Sequence, residues 1–286
     1  MDRSRAWRRL HMGLQTLLAP VLGGRVRGFF IPYRYADTVP ATQPVYAALE
    51  STFLDARQRF QGILDQIDSF AADLLRIVAE AAPPPAPRFD QSWFPTLDAA
   101  AAYSIVRHHR PRRIVEVGSG HSTRFLSRAA ADAGLEVEIT AIDPQPRAAL
   151  KGLPVRFMPA VVQSADPTHF SALKAGDILF IDSSHILMPG TDVDWLFNRV
   201  LPVLPAGVLL HVHDVFLPDG YPPDWQWRGY NEQQLLGPML AGGFELLFAS
   251  HYAATRMAEE VGRTVIGKLP VAAEARPASI WLIKRT

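Results

Sequence analysis

Apolar side chains pass along this chain in two rhythms. In the first, Leu49, Phe53, Ala56, Phe60, Ile63, Ile67, Phe70, Leu74 and Ile77 follow at alternating intervals of four and three, the spacing that lines one face of an α-helix. Gly62 is the only glycine between Pro44 and Pro83, so the stretch predicts one long amphipathic helix. The flanking positions change from Glu50 and Arg57 to Leu64, Ala71 and Val78, and the stripe widens toward its C-terminal end. A widened stripe needs more than one neighbour, which favours a helical bundle over an isolated two-stranded coil. That bundle forms within the chain or across a homo-oligomer through residues 44–82. The helix ends at Pro83-Pro84-Pro85-Ala86-Pro87, where four of five positions lack an N–H and an extended spacer is expected.

The second rhythm begins past Arg88. Short β-branched runs at 113–117, 137–142, 155–158, 178–181 and 208–212 alternate with helical patterns at 96–109, 122–133 and 193–201, with Thr96 as the expected cap of the first. Strands alternating with helices imply an α/β, doubly wound, mostly parallel sheet. The organisation expected is a basic N-terminal arm over 1–43, the long helix and proline-rich linker over 44–87, and a sheet domain over 88–286.

Composition narrows the chemistry. The 286 residues are 48% hydrophobic and 20% charged, which excludes a disordered or fibrous chain, and the absence of cysteine excludes disulfide scaffolds and thiolate chemistry. A net charge of +1 hides seven arginines against one aspartate in residues 1–34, a local balance of +6. The uncharged run 12–24 contains Gln15, Thr16 and Pro20 and falls short of the ~20 apolar residues a membrane span needs. It imitates a secretory signal, but the basic stretch 25–34 after it does not suit cleavage. A cytoplasmic protein is expected, its arm packed on its own domain; weak contact with an anionic membrane surface is the alternative. No basic cleft or aromatic-basic repeat points to nucleic acid.

The strand at 113–117 runs into Glu116-Val117-Gly118-Ser119-Gly120-His121-Ser122-Thr123 and then a helix. Gly118 and Gly120 allow a tight turn and a close approach of backbone to ligand, and the helix start offers N–H groups to an anion. A dinucleotide fingerprint requires glycine where Thr123 stands, and no lysine follows as in a phosphate-binding loop. What remains is a ligand with a carboxylate and a ribose, with Glu116 at the turn's entrance to meet a positive charge. Asp143 closes the next apolar strand near the ~20-residue spacing of a ribose-binding carboxylate; its competing role is that of a turn former.

These residues resemble class I S-adenosylmethionine-dependent methyltransferases, with Val115-Glu116-Val117-Gly118-Ser119-Gly120 at the first motif and Ala141-Ile142-Asp143 at the ribose-binding acid. The resemblance extends through 177–185 and 207–214 and covers about residues 92–285. It implies a Rossmann-like seven-stranded sheet with an antiparallel last strand, preceded by a helical region, and puts 244–249 and 279–284 in the last two strands. It implies S-adenosylmethionine as cofactor, held by Glu116, Gly118, Ser119, Gly120, Asp143 and Asp182, with adenine near 160–163.

Adjacent strands are ~4.8 Å apart, so Asp182 and Asp214, at the ends of neighbouring strands, come close enough to shift a pKa or recruit a cation. The arrangement is similar to metal-dependent small-molecule O-methyltransferases, including the macrocin-type sugar methyltransferases, and implies Asp182, His213 and Asp214 as ligands of a divalent metal. Histidine in place of an oxygen ligand suits manganese, iron or zinc better than magnesium. Without metal, His213 or His185 would take the proton of the acceptor hydroxyl, with Asp182 beside them. The loop 216–232 carries Tyr221, Trp225, Trp227, Arg228 and Tyr230, expected to form a lid on a small-molecule substrate; the competing role is an aromatic cluster sealing a domain edge. The reading is therefore O-methylation of a small-molecule hydroxyl, with sugar-containing acceptors within that class. Its rivals are a non-catalytic binding or assembly protein acting through the arm and long helix, and a nicotinamide-dependent oxidoreductase, which Thr123 disfavours.

Overall fold

The structure is a computed structural model that describes residues 3–23, 28–29, 31–40 and 45–286; Arg25, Arg27 and Pro44 lie outside them. The chain divides into a larger unit of residues 44–221 and 230–286 and a smaller one that joins residues up to 43 with 222–229. The smaller unit contains α1 (Arg3–Leu22) and short 3-10 turns at Ala36–Thr38 and Pro223–Arg228.

The larger unit begins with α2 (Ala47–Asp55), α3 (Arg57–Ser69), α4 (Ala71–Glu80) and α5 (Thr96–His109). It continues with β1 (Arg113–Val117), α6 (His121–Asp132), β2 (Glu138–Ile142), β3 (Arg156–Met158), α7 (Thr168–Ser171), β4 (Ile178–Ile181), α8 (Asp192–Trp195) and β5 (Leu209–Val212). It closes with α9 (Gln233–Leu240), β6 (Phe244–Ala249), α10 (Ser250–Arg256), α11 (Ala258–Arg263) and β7 (Ile280–Lys284). The seven strands form one sheet in the order β3-β2-β1-β4-β5-β7-β6. Pairing is parallel from β3 to β5, and β7 runs antiparallel to both β5 and β6. All of β4 and β5 is buried, as expected of central parallel strands covered on both faces.

Three expectations change. The periodic stretch is three helices, broken at Ala56 and Phe70. A straight helix over these residues would run about 50 Å, whereas the breaks let Phe53, Phe60, Ile63, Ile67, Leu74 and Ile77 all reach one core with the sheet. Phe60 packs against Phe248 of β6 and Tyr252 of α10, with ring centroids 5.8 and 5.5 Å away. The stripe is thus buried within the chain, the first of the two arrangements expected, and the proline segment does not separate compact units. Thr96 is the first residue of α5 and not its cap; Pro95 holds the cap position, and the Thr96 hydroxyl donates to the Pro270 carbonyl at 2.5 Å.

Register sets up the site. Val117 lies beside Ile142 and Ile181, and Ile181 beside Val212. The residues that follow, Gly118, Asp143, Asp182 and His213, therefore stand level along the carboxyl edge of the sheet.

Candidate active site

Gly118 leaves β1 with a φ of +81°, and a Cβ built on it would stand 1.7 Å from the Asp182 carbonyl oxygen. Only glycine fits, for both conformation and space. The turn then passes through Ser119, whose N–H donates to Asp143 at 2.6 Å and whose hydroxyl lies 3.1 Å from the same oxygen. The other Asp143 oxygen accepts from the Gln145 N–H at 2.7 Å. The carboxylate expected to bind ribose is thus joined to the glycine turn.

Glu116 differs from expectation. It is fully buried and accepts from the hydroxyls of Ser122 and Thr123, each at 2.6 Å, so its oxygens secure the start of α6. Burial pushes its pKa up to about 8 against those hydroxyl bonds. Thr123, standing where a dinucleotide fold has glycine, also accepts from the Gly120 N–H at 3.0 Å.

Asp182, His185, His213 and Asp214 come together after β4 and β5. His185 Nε2 is 3.4 Å from Asp182 and 3.3 Å from Asp214; His213 Nδ1 is 3.6 and 3.4 Å from the same two residues. A buried carboxylate stands behind each ring. Glu232 is 2.9 Å from His185 Nδ1, and Asp98 is 3.3 Å from His213 Nε2. Asp98 is itself held by the N–H groups of Ala278 and Ser279 and the Ser250 hydroxyl.

Burial alone disfavours a charge on either ring, but the surrounding carboxylates outweigh it. Asp182, Asp98 and Asp214 push the pKa of His213 up to about 9, and Asp214, Asp182 and Glu232 raise that of His185. Burial likewise opposes ionisation of Asp182, yet His213 and His185 hold its carboxyl down at about 2. His185 and Asp214 have positive φ values of 61° and 56°, conformations that cost non-glycine residues about 1–3 kcal/mol and concentrate at functional sites.

The expected lid divides between the units. Tyr221 and Tyr230 belong to the larger one, where the Tyr230 ring lies 4.7 Å from that of His185 and the buried Tyr221 hydroxyl accepts from the Gln233 N–H. Trp225, Trp227 and Arg228 belong to the smaller one, where the Arg228 guanidinium lies 3.9 Å from the Trp225 ring centroid.

Sequence reasoning missed Asp98 and Glu232. Asp98 had a signal as the one acid in the otherwise uncharged run 96–106; Glu232 had none. Asn231, beside Glu232, holds the loop that carries His185: its N–H donates to the His185 carbonyl and its side chain accepts from the Leu187 N–H.

Residues 115–215 match a protein-family model described as a methyltransferase domain. No curated protein matches the chain. Among solved structures, CmcI with magnesium and S-adenosylmethionine has 15% identity over 66% of this chain and 71% of that chain, with a TM-score of 0.37. The plantazolicin methyltransferase BpumL with S-adenosylhomocysteine has 13% identity over 80% and 99%, at 0.42. The O-methyltransferase TomG from Streptomyces achromogenes, in complex with S-adenosylmethionine, has 15% identity over 78% and 90%, at 0.39. Scores of this size carry no argument about chemistry or substrate. The matched segment, on a strand order and glycine turn of this kind, is thus similar to a methyltransferase domain.

Proposed function

We propose that this domain transfers the methyl group of S-adenosylmethionine to a hydroxyl of a small molecule, with a sugar-bearing acceptor as the class that Tyr221 and Tyr230 suit. The observation that carries the reading is the contact between Gly118 and the Asp182 carbonyl, which joins the cofactor turn to the cluster of two carboxylates and two imidazoles. Gly118, Ser119, Gly120 and Asp143 hold the cofactor; Asp182, shared by turn and cluster, borders both. Three hydrogen bonds already reach Asp143, about three of the four a carboxylate accepts, which leaves a position for one ribose hydroxyl.

Bound S-adenosylmethionine supplies an electrophilic methyl carbon on a cationic sulfur. The acceptor oxygen forms the new O–C bond as the S–C bond breaks, the electron pair stays on sulfur, and the hydroxyl proton must leave. His185 takes that proton, with Glu232 fixing its ring and His213 supporting the same pair of carboxylates. An imidazole accepts a proton only when neutral, and positive charge beside the cluster favours proton loss from one ring. Transfer therefore rises with pH above the ordinary imidazole value of 6.5, because the carboxylates raise the pKa of His185 and it becomes neutral only on the alkaline side; a flat profile between pH 6 and 9 with chemistry rate-limiting contradicts the assignment.

The resemblance also implies a divalent ion on Asp182, His213 and Asp214. These donors do lie together, but they pair with one another as ions, and among the described residues no group of three or more such side chains is arranged to hold a metal. The present arrangement does not fit an ion, and no step runs through one. Methyl transfer from labelled S-adenosylmethionine to a panel of hydroxylated acceptors, with and without chelator, tests the proposal. Transfer that survives chelation and is lost in His185→Gln supports it. Transfer only to nitrogen acceptors, or only with added metal, overturns it.

A further inference from the structure

One helix face has no part in this chemistry. In α1, Trp7, Leu10, Leu14, Leu17, Leu18 and Val21 are all exposed, Trp7 by 68% and Val21 by 80%. At 3.6 residues per turn these six positions fall within a sector of about 100°, a single continuous stripe. Arg5, Arg8 and Arg9 occupy the opposite side of the helical period, Arg3 at the first turn stands in line with the stripe, and α1 contains no acidic residue. We propose that α1 lies in the plane of an anionic membrane surface, its apolar stripe in the acyl boundary and its arginines among lipid headgroups.

Three observations select this occupant. A stripe of large apolar residues opposite arginine, without acids, is complementary to a negatively charged interface and matches the composition of helices that lie in one. No described helix is long and apolar enough to cross a membrane, so the helix lies on the surface. The unit that holds α1 also holds Trp225, Trp227 and Arg228.

Co-sedimentation of the full chain with vesicles tests the proposal. The protein is expected to sediment with phosphatidylcholine–phosphatidylglycerol vesicles, to do so far less with phosphatidylcholine alone, and to lose binding as salt is raised. Leu14→Glu with Leu17→Glu, both at exposed positions, removes most of the binding while S-adenosylmethionine affinity stays unchanged. Equal sedimentation of this variant and the wild type overturns the proposal, as does wild-type failure to bind the anionic vesicles. A wild-type dimer that the same substitutions dissociate, without vesicle binding, assigns the stripe to a second copy instead.

Discussion

Gly118 has no room for a side chain. Gly118→Ala forces Cβ onto the Asp182 carbonyl at a φ that alanine rarely adopts, and S-adenosylmethionine affinity should fall by about tenfold or more, which corresponds to roughly 1.4 kcal/mol, as calorimetry would read. The sequence revealed this position because a tight turn after a strand has few solutions. It also revealed Asp143, Asp182 and Asp214, each next to the end of an apolar run. Asp98 and Glu232 stayed hidden because they meet their histidines 115 and 47 residues away, and no local pattern encodes such a meeting. Their roles separate experimentally. Glu232→Gln keeps the shape but removes a negative charge from His185, so the pH at which transfer becomes half-maximal should drop; an unchanged pH profile would make Glu232 merely structural.

At the scale of elements, the three helices before the sheet show how a regular pattern conceals a bend. The spacing correctly identifies which residues turn inward, since Phe60, Ile63 and Ile67 are all buried, but a seven-residue period has no marker for breaks set by the curvature of the surface beneath. No proline or glycine marks Ala56 or Phe70. Phe60→Ala should destabilise the larger unit by about 3–5 kcal/mol, measured by urea unfolding, because its ring fills the space between Phe53, Phe248 and Tyr252. A loss under about 1 kcal/mol would mean that these helices are not part of that core. The aromatic loop was legible in composition only: the number of large rings suggested a surface with a purpose, while its division between two compact units depends on contacts with the N-terminal residues that composition does not encode.

At the scale of the whole molecule, buried ionisable groups couple stability to pH. His213 and Glu116 both have folded pKa values above their ordinary values of 6.5 and 4.5, so the folded state holds protons that the unfolded state releases. Their contribution is full below those ordinary values and is lost as pH rises through about 8 to 9; the melting temperature should fall from pH 6.5 to 9. Asp182 acts in the opposite sense, its stabilisation disappearing as pH falls toward about 2. The proposed activity depends on one arrangement, a cofactor turn clasped by Asp143 beside a separate proton-transfer cluster. Calorimetric titration of S-adenosylmethionine into the wild type, Asp143→Ala and Asp214→Asn tests it most directly. The expected result is one site per chain, weakened about tenfold or more by Asp143→Ala and little changed by Asp214→Asn, whose transfer becomes half-maximal at a lower pH. Wild-type affinity in a folded Asp143→Ala variant would contradict it.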